Sequence, residues 1–142
     1  MKMINYIYRM AKNKTVLSGI MTVMVCGILA LPGRAEKISL TELDHECAVE
    51  MKTGDKLEIT LDGNPTTGYI WEKVEGDTAT LAQQGDYKYT PAKPLLVGSG
   101  GNFVFSFQGA TSGKTKLRFI YHRTFEKNVA PVKSFEVMVI VK

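Results

Sequence analysis

The chain has 142 residues, of which 18 are Lys or Arg, 14 are Asp or Glu and 44% are hydrophobic. This length holds at most one ordinary globular domain, which excludes a multidomain enzyme. The excess of positive charge lies in the first 35 residues, which contain five basic residues and no acidic one. The remaining 107 residues contain 13 basic and 14 acidic residues. Because phosphate binding requires a basic surface, nucleic acid is excluded as a partner of this main body.

The N-terminal segment has the three parts of a secretory signal. A basic leader covers residues 1–15, an apolar run covers 16–31, and the small residues Gly33 and Ala35 precede a possible cleavage site. The apolar run of 16 residues is shorter than the roughly 20 that span a bilayer. We therefore predict a signal peptide over residues 1–35, cleaved after Ala35, and export of residues 36–142 to a periplasmic, vesicular or extracellular compartment. An uncleaved membrane anchor is the alternative.

Cysteine usage indicates how the exported domain is held together. Cleavage removes Cys26 and leaves Cys47 alone, so the domain has no internal disulfide and depends on its hydrophobic core. His45 lies two residues from Cys47, but neither an acid nor an oxyanion donor accompanies the pair. We interpret Cys47 as a buried packing residue and predict no catalytic residue. One Cys and two His give no zinc spacing, so we expect no metal and no cofactor.

From residue 36 onward the hydrophobic residues recur with a period of two, which is typical of half-buried strands. Four strands follow clearly from this pattern: 56–62, 102–108, 115–122 and 134–141. Shorter strands are predicted at 38–43, 47–51, 69–74 and 86–90. Seven or eight short strands without an amphipathic helix predict an all-β fold, an immunoglobulin-like antiparallel β-sandwich. Trp71, Phe103, Phe105 and Phe107 are expected in its core.

Three connections between the predicted strands are longer than simple turns. The first loop, 63–68, reads GNPTTG, the second loop, 91–101, reads PAKPLLVGSGG, and the third loop, 123–132, reads RTFEKNVAPV. Alternate connections of an antiparallel sandwich emerge at the same end, so this topology predicts one composite edge made of three loops.

The composition of each loop suits an interaction surface. In the first loop Pro65 stiffens the chain and Gly68 permits a sharp return. In the second loop prolines alternate with glycines, whose bare backbone lets another chain approach closely. In the third loop Arg123 and Phe125 are exposed candidates for anchoring, since these residue types concentrate binding energy at interfaces.

These loops carry a specific resemblance. Asn64-Pro65-Thr66-Thr67-Gly68-Tyr69 resembles the NPTTG-aromatic motif of the chagasin family of cysteine peptidase inhibitors. Gly98-Ser99-Gly100-Gly101 resembles the family's GxGG motif, in the correct order along the chain. Arg123-Thr124-Phe125 resembles the third motif, which is usually Arg-Pro-Trp, but Thr124 lacks the stiffness of proline and Phe125 lacks an indole donor. The resemblance covers residues 36–142.

The resemblance implies tight, reversible inhibition of papain-like cysteine peptidases by a protein that is not itself an enzyme, and we expect a monomer. In this family the NPTTG loop enters the active-site cleft and blocks the catalytic Cys and His, while the two outer loops grip the enzyme on either side. The residues that this implies for peptidase binding are Asn64, Pro65, Thr66, Thr67, Gly68, Tyr69, Gly98, Ser99, Gly100, Gly101, Arg123, Thr124 and Phe125. The alternative is an exported immunoglobulin-like adhesion or carbohydrate-binding module, for which exposed aromatic residues on a strand face are expected.

Overall fold

Nine strands form two sheets in the computed structural model, which describes residues 34–94 and 96–142. Most of the predicted export signal lies outside the described residues. The strands are β1 Lys37–Thr41, β2 Cys47–Met51, β3 Lys56–Gly63, β4 Tyr69–Glu75, β5 Leu81–Gln83, β6 Lys88–Pro91, β7 Gly101–Gly109, β8 Gly113–Arg123 and β9 Lys133–Val141. No helix within the described ranges is long and apolar enough to cross a membrane.

The two sheets confirm the predicted sandwich. The first sheet has the order β1-β3-β7-β5, with β6 also paired to β7, and the second has the order β2-β9-β8-β4. Two pairs at the sheet edges, β1 with β3 and β2 with β9, are parallel and depart from the antiparallel pairing of the other strands. The chain reverses on either side of β2 and changes sheet each time. For this reason β1 and β2 do not form a hairpin with each other and instead extend separate sheets.

Several strands differ from the prediction in their presence or in their bounds. The strand β5 was not predicted, because three residues are too short to show a period of two. The strand predicted at 38–43 ends at Thr41, where Glu42–Asp44 form a 3₁₀ turn. The strand predicted at 86–90 lies instead at Lys88–Pro91.

Inward-facing aromatic residues fill the space between the sheets. Phe103, Phe105 and Phe107 are buried along β7, as predicted, and Trp71 is only 2% exposed. The indole Nε1 of Trp71 donates a hydrogen bond to the carbonyl oxygen of Asp62, at 3.0 Å, which joins the sheets next to the first loop. An adhesion or carbohydrate-binding module was expected to show exposed aromatic residues on a strand face. The three Phe residues of β7 lie in the core instead.

Cys47 lies on the edge strand β2, away from the three loops, and it is half-buried. The prediction of a buried Cys47 is therefore only partly correct, since the residue is half-buried. An edge strand has a neighbour on one side only, and this leaves part of the side chain accessible. Within the described residues no group of three or more His, Cys, Asp and Glu side chains is arranged to hold a metal ion.

Candidate functional site

The strand register brings the three loops to one end of the sandwich. Gly63, the last residue of β3, pairs with Gly101, the first residue of β7, and Gly101 also pairs with Pro91 at the end of β6. In the second sheet Tyr69 at the start of β4 pairs with Arg123 at the end of β8. The strands on either side of the first two loops therefore begin or end at the same end of the sandwich as the strands with which they pair. The predicted composite edge is confirmed.

The first loop is a hydrogen-bonded turn. After Asn64 in an extended conformation, residues Pro65–Thr67 form a 3₁₀ turn, with proline at a position where its missing N–H is not needed. The Oδ1 of Asn64 accepts hydrogen bonds from the backbone N–H of Thr66, at 3.1 Å, and from its hydroxyl, at 2.5 Å. The hydroxyl of Thr67 donates to the carbonyl oxygen of Asn64, at 2.6 Å. Both hydroxyl protons are therefore used inside the loop, while both threonine side chains remain exposed.

Gly68 closes this turn in the left-handed region, with φ at +84°. Residues with a side chain rarely adopt this conformation. The sharp return predicted at Gly68 is therefore present in the structure. A Cβ at this position would also lie 3.1 Å from the ring of Phe125 in the third loop. Gly68 is thus constrained both by its backbone and by close packing.

Asn64 also joins the first loop to its surroundings. Its Nδ2 donates a hydrogen bond to the carbonyl oxygen of Gly98 in the second loop, at 2.9 Å. Its backbone N–H donates to the hydroxyl of Tyr121 on β8, at 2.8 Å. The sequence pattern predicted no role for the hydroxyl of Tyr121. The signal was available, because a buried tyrosine hydroxyl needs a hydrogen-bond partner.

The glycines of the second loop have different environments. Gly98 is exposed, with φ at +83°, whereas Gly101 is buried, and a Cβ there would overlap the carbonyl oxygen of Thr90. The carbonyl oxygen of Gly100 accepts a hydrogen bond from Ala92, at 2.9 Å. Ser99 is half-buried, and its hydroxyl donates to the carbonyl of Lys93 at 3.1 Å. The motif glycines therefore shape the loop, and exposed backbone is concentrated at Gly98.

In the third loop Arg123 holds the edge together. Its Nε donates to the carbonyl oxygen of Thr67, at 3.1 Å, and its Nη1 donates to the carboxylate of Glu126, at 3.0 Å. The hydrogen bond to Glu126 raises the pKa of Arg123. The guanidinium carbon lies 4.4 Å from the ring centre of Tyr69. Arg123 was predicted to be an exposed anchor, but it is half-buried and bonded within the edge.

Comparison with known proteins gives the family. The model of the chagasin family of peptidase inhibitors, I42, matches residues 50–139. The chain belongs to this family. It is similar to amoebiasin-1 of Entamoeba histolytica, with 32% identity over 93 residues that cover 64% of this chain and 87% of that protein. It is also similar to chagasin of Trypanosoma cruzi, with 28% identity over 88 residues, covering 59% and 79% of the two chains.

A solved structure agrees with this assignment. The fold is similar to the crystal structure of EhICP2, a cysteine protease inhibitor from Entamoeba histolytica, with a TM-score of 0.68 and 26% identity. The match covers 76% of this chain and 97% of the other. The chagasin-family fold therefore extends over most of the described residues.

In this chagasin-family protein a row of stacked side chains leads from the core to the third motif. The ring centres of Trp71 and Tyr121 lie 5.1 Å apart, and those of Tyr121 and Tyr69 lie 5.3 Å apart. Arg123 covers Tyr69 and lies 5.9 Å from the ring centre of Phe125. Phe125 itself is 70% exposed, and Thr124 is also exposed. The exposed ring of Phe125 thus lies at the outer end of a row of contacts that begins in the core.

Two further exposed residues lie at the tip of the second loop. Leu96 is exposed, and Val97 is 98% exposed, immediately before the GxGG motif. The sequence pattern predicted no role for these two residues. A run of apolar residues within a loop of Pro and Gly was the available signal, because a domain with a complete core has no need of them there.

Proposed function

We propose that residues 36–142 form a monomeric, reversible inhibitor of papain-like cysteine peptidases that needs neither metal nor cofactor. The observation that supports this most directly is the contact among the three motif loops. Asn64 bonds the first loop to the second, and Arg123 bonds the first loop to the third. Membership of a peptidase inhibitor family supports the same function and argues against an enzyme.

In this proposal the first loop enters the active-site cleft. Its internal hydrogen bonds hold it in one conformation, so little conformational entropy is lost on binding. The 3₁₀ turn Pro65–Thr67 differs from an extended peptide, and its carbonyl groups are therefore not presented in the near-attack geometry that cleavage requires. The exposed side chains of Thr66 and Thr67 meet the catalytic Cys and His of the peptidase. The loop blocks the cleft without becoming a substrate.

The outer loops make the flanking contacts. At the second loop the exposed backbone near Gly98 approaches the enzyme main chain as an added strand does. At the third loop the exposed ring of Phe125 is the apolar anchor. Gly101 and Arg123 support these contacts from within the edge.

Titration of papain with the purified protein tests this function. We expect papain activity to fall linearly to zero at a 1:1 molar ratio, with the inhibitor chain intact on a gel afterwards. Recovery of activity on dilution shows that inhibition is reversible. Absence of inhibition at micromolar protein, or progressive cleavage of the chain, would contradict the proposal, and the first outcome would favour an adhesion or carbohydrate-binding module.

Truncation of Phe125 tests the third loop. We expect Phe125→Ala to weaken binding by about 1–3 kcal/mol. The effect should come mainly from faster dissociation, because the ring contributes to the bound complex and hardly changes the rate at which the two proteins associate. Phe125→Trp restores the residue usual in the family and is expected to tighten binding to at least some papain-like peptidases. The measurement is the dissociation rate of each folded variant from one peptidase. Equal rates for the wild type and Phe125→Ala would show that the third loop does not touch the enzyme.

We also propose that the protein is exported and that residues 1–35 are removed on the way. The support is the order of the segment: a basic leader, an apolar run of 16 residues and small residues before the site. N-terminal sequencing of the natural protein is expected to begin at Glu36 or within a few residues of it. Recovery of the intact N-terminus in a membrane fraction would show that the segment is kept as an anchor.

A further inference from the structure

The three loops carry positive charge although the domain as a whole does not. Residues 63–69, 91–101 and 123–132 together contain three basic residues and one acidic residue. The rest of residues 36–142 contains 10 basic and 13 acidic residues. The three loops therefore carry a formal net charge of +2, whereas the remaining residues of the domain carry −3.

Two of the loop charges are free to act on a partner. Arg123 and Glu126 form an ion pair at 3.0 Å and offset each other. Lys93 in the second loop and Lys127 in the third are both exposed, and neither forms an ion pair with a described residue. The first loop contains no charged residue. A neutral central loop is thus flanked by one free cation on each side.

One pair of opposite charges next to the loops is formed by Glu42 and Lys133. The carboxylate of Glu42 accepts hydrogen bonds from the backbone N–H of Asp62, at 3.1 Å, and from Lys133, at 3.4 Å. These contacts hold Lys133, which follows the third loop, beside the 3₁₀ turn that begins at Glu42. They do not neutralise the two free lysines of the outer loops.

We infer that the partner of this protein is a papain-like peptidase with an acidic rim on both sides of its cleft, toward which Lys93 and Lys127 steer the inhibitor. This inference rests on the proposed function and adds the chemistry of the target. Charges at the rim of an interface act over distances of about a Debye length, so they raise the association rate before the loops make contact. They contribute little to the dissociation rate, which depends on the buried contacts.

The test is the association rate constant, measured by stopped flow at low and at high salt for the wild type and for a double variant, Lys93→Gln with Lys127→Gln. Against a peptidase with an acidic cleft rim, we expect the double variant to associate about 3- to 10-fold more slowly at low salt. The difference should disappear at about 0.5 M salt, where screening shortens the reach of the charges. The dissociation rate should stay within about twofold of the wild type. Against a peptidase with a basic rim, the double variant should associate faster than the wild type.

The matched control removes two exposed lysines at the opposite end of the sandwich, Lys52→Gln with Lys114→Gln. It changes the net charge by the same amount and is expected to leave association with the acidic-rim peptidase essentially unchanged. Equal slowing by both double variants would show that only net charge matters and would overturn the inference. Stoichiometric inhibition with no difference at low salt would also overturn it while leaving the inhibitor function intact. Failure of the wild type to inhibit any papain-like peptidase would overturn both.

Discussion

Gly68→Val is expected to weaken inhibition by one to two orders of magnitude while the sandwich remains folded. Gly68 has φ at +84°, and a β-branched residue in that region costs about 1–3 kcal/mol. An added Cβ would also lie 3.1 Å from the ring of Phe125, so this ring would have to shift by a few tenths of an ångström. The variant relieves this strain by reshaping the loop that carries Thr66 and Thr67. The measurement is the inhibition constant against papain, with folding checked by circular dichroism.

Gly85→Val is the matched control for backbone strain. Gly85 has φ at +72°, and no atom lies within 4 Å of a Cβ placed there. This variant should lower the melting temperature through the same conformational cost, but it lies outside the three loops and should inhibit like the wild type. An unchanged inhibition constant for Gly68→Val would contradict the role given to this turn. Equal weakening by both variants would show that the effect is one of general stability.

Asn64→Ala is expected to weaken inhibition by about 2–3 kcal/mol. The side chain of Asn64 makes three hydrogen bonds, two to Thr66 and one to Gly98, and a typical net value is about 1 kcal/mol each. Their loss frees the first loop from its own turn and from the second loop, so ordering must occur on binding. Dissociation rates should rise, and amide hydrogen exchange at Thr66 should become faster in the free protein.

Two variants separate this role from a general loss of stability. Asn102→Ala makes the same chemical change at an exposed position of β7 and should leave both readouts unchanged. Tyr121→Phe removes only the hydroxyl that accepts from the backbone N–H of Asn64 and should give a smaller effect of the same kind. If Asn64→Ala exchanges and dissociates like the wild type, the first loop does not depend on this side chain.

Much of the sandwich could be predicted from sequence, because strand alternation is a local signal. Phe103, Phe105 and Phe107 alternate with polar residues, and all three are buried on one face of β7. The short strand β5 and the parallel pairing of β1 with β3 and of β2 with β9 could not be predicted in the same way. Strand β5 is too short to show a period of two. The parallel pairs depend on which distant strand lies alongside, and a period of two carries no information about that.

The functional site, like the fold, was predictable only in part. The position of the three loops at one end followed from topology, and the turn at Gly68 followed from residue type. The internal role of Arg123 did not, since its partners Thr67 and Tyr69 are far from it along the chain. A residue type that suits an interface can equally hold a loop in place, and only the tertiary contacts distinguish the two roles.

Amide chemical-shift mapping tests the central claim most directly. The ¹⁵N-labelled protein is titrated with papain in which serine replaces the catalytic cysteine, so that the complex forms without chemistry. The account predicts that the largest shifts fall in residues 63–69, 91–101 and 123–132 together, and that the turns at the opposite end of the sandwich do not move. Shifts concentrated on a sheet face or at that opposite end, with the three loops unperturbed, would contradict it.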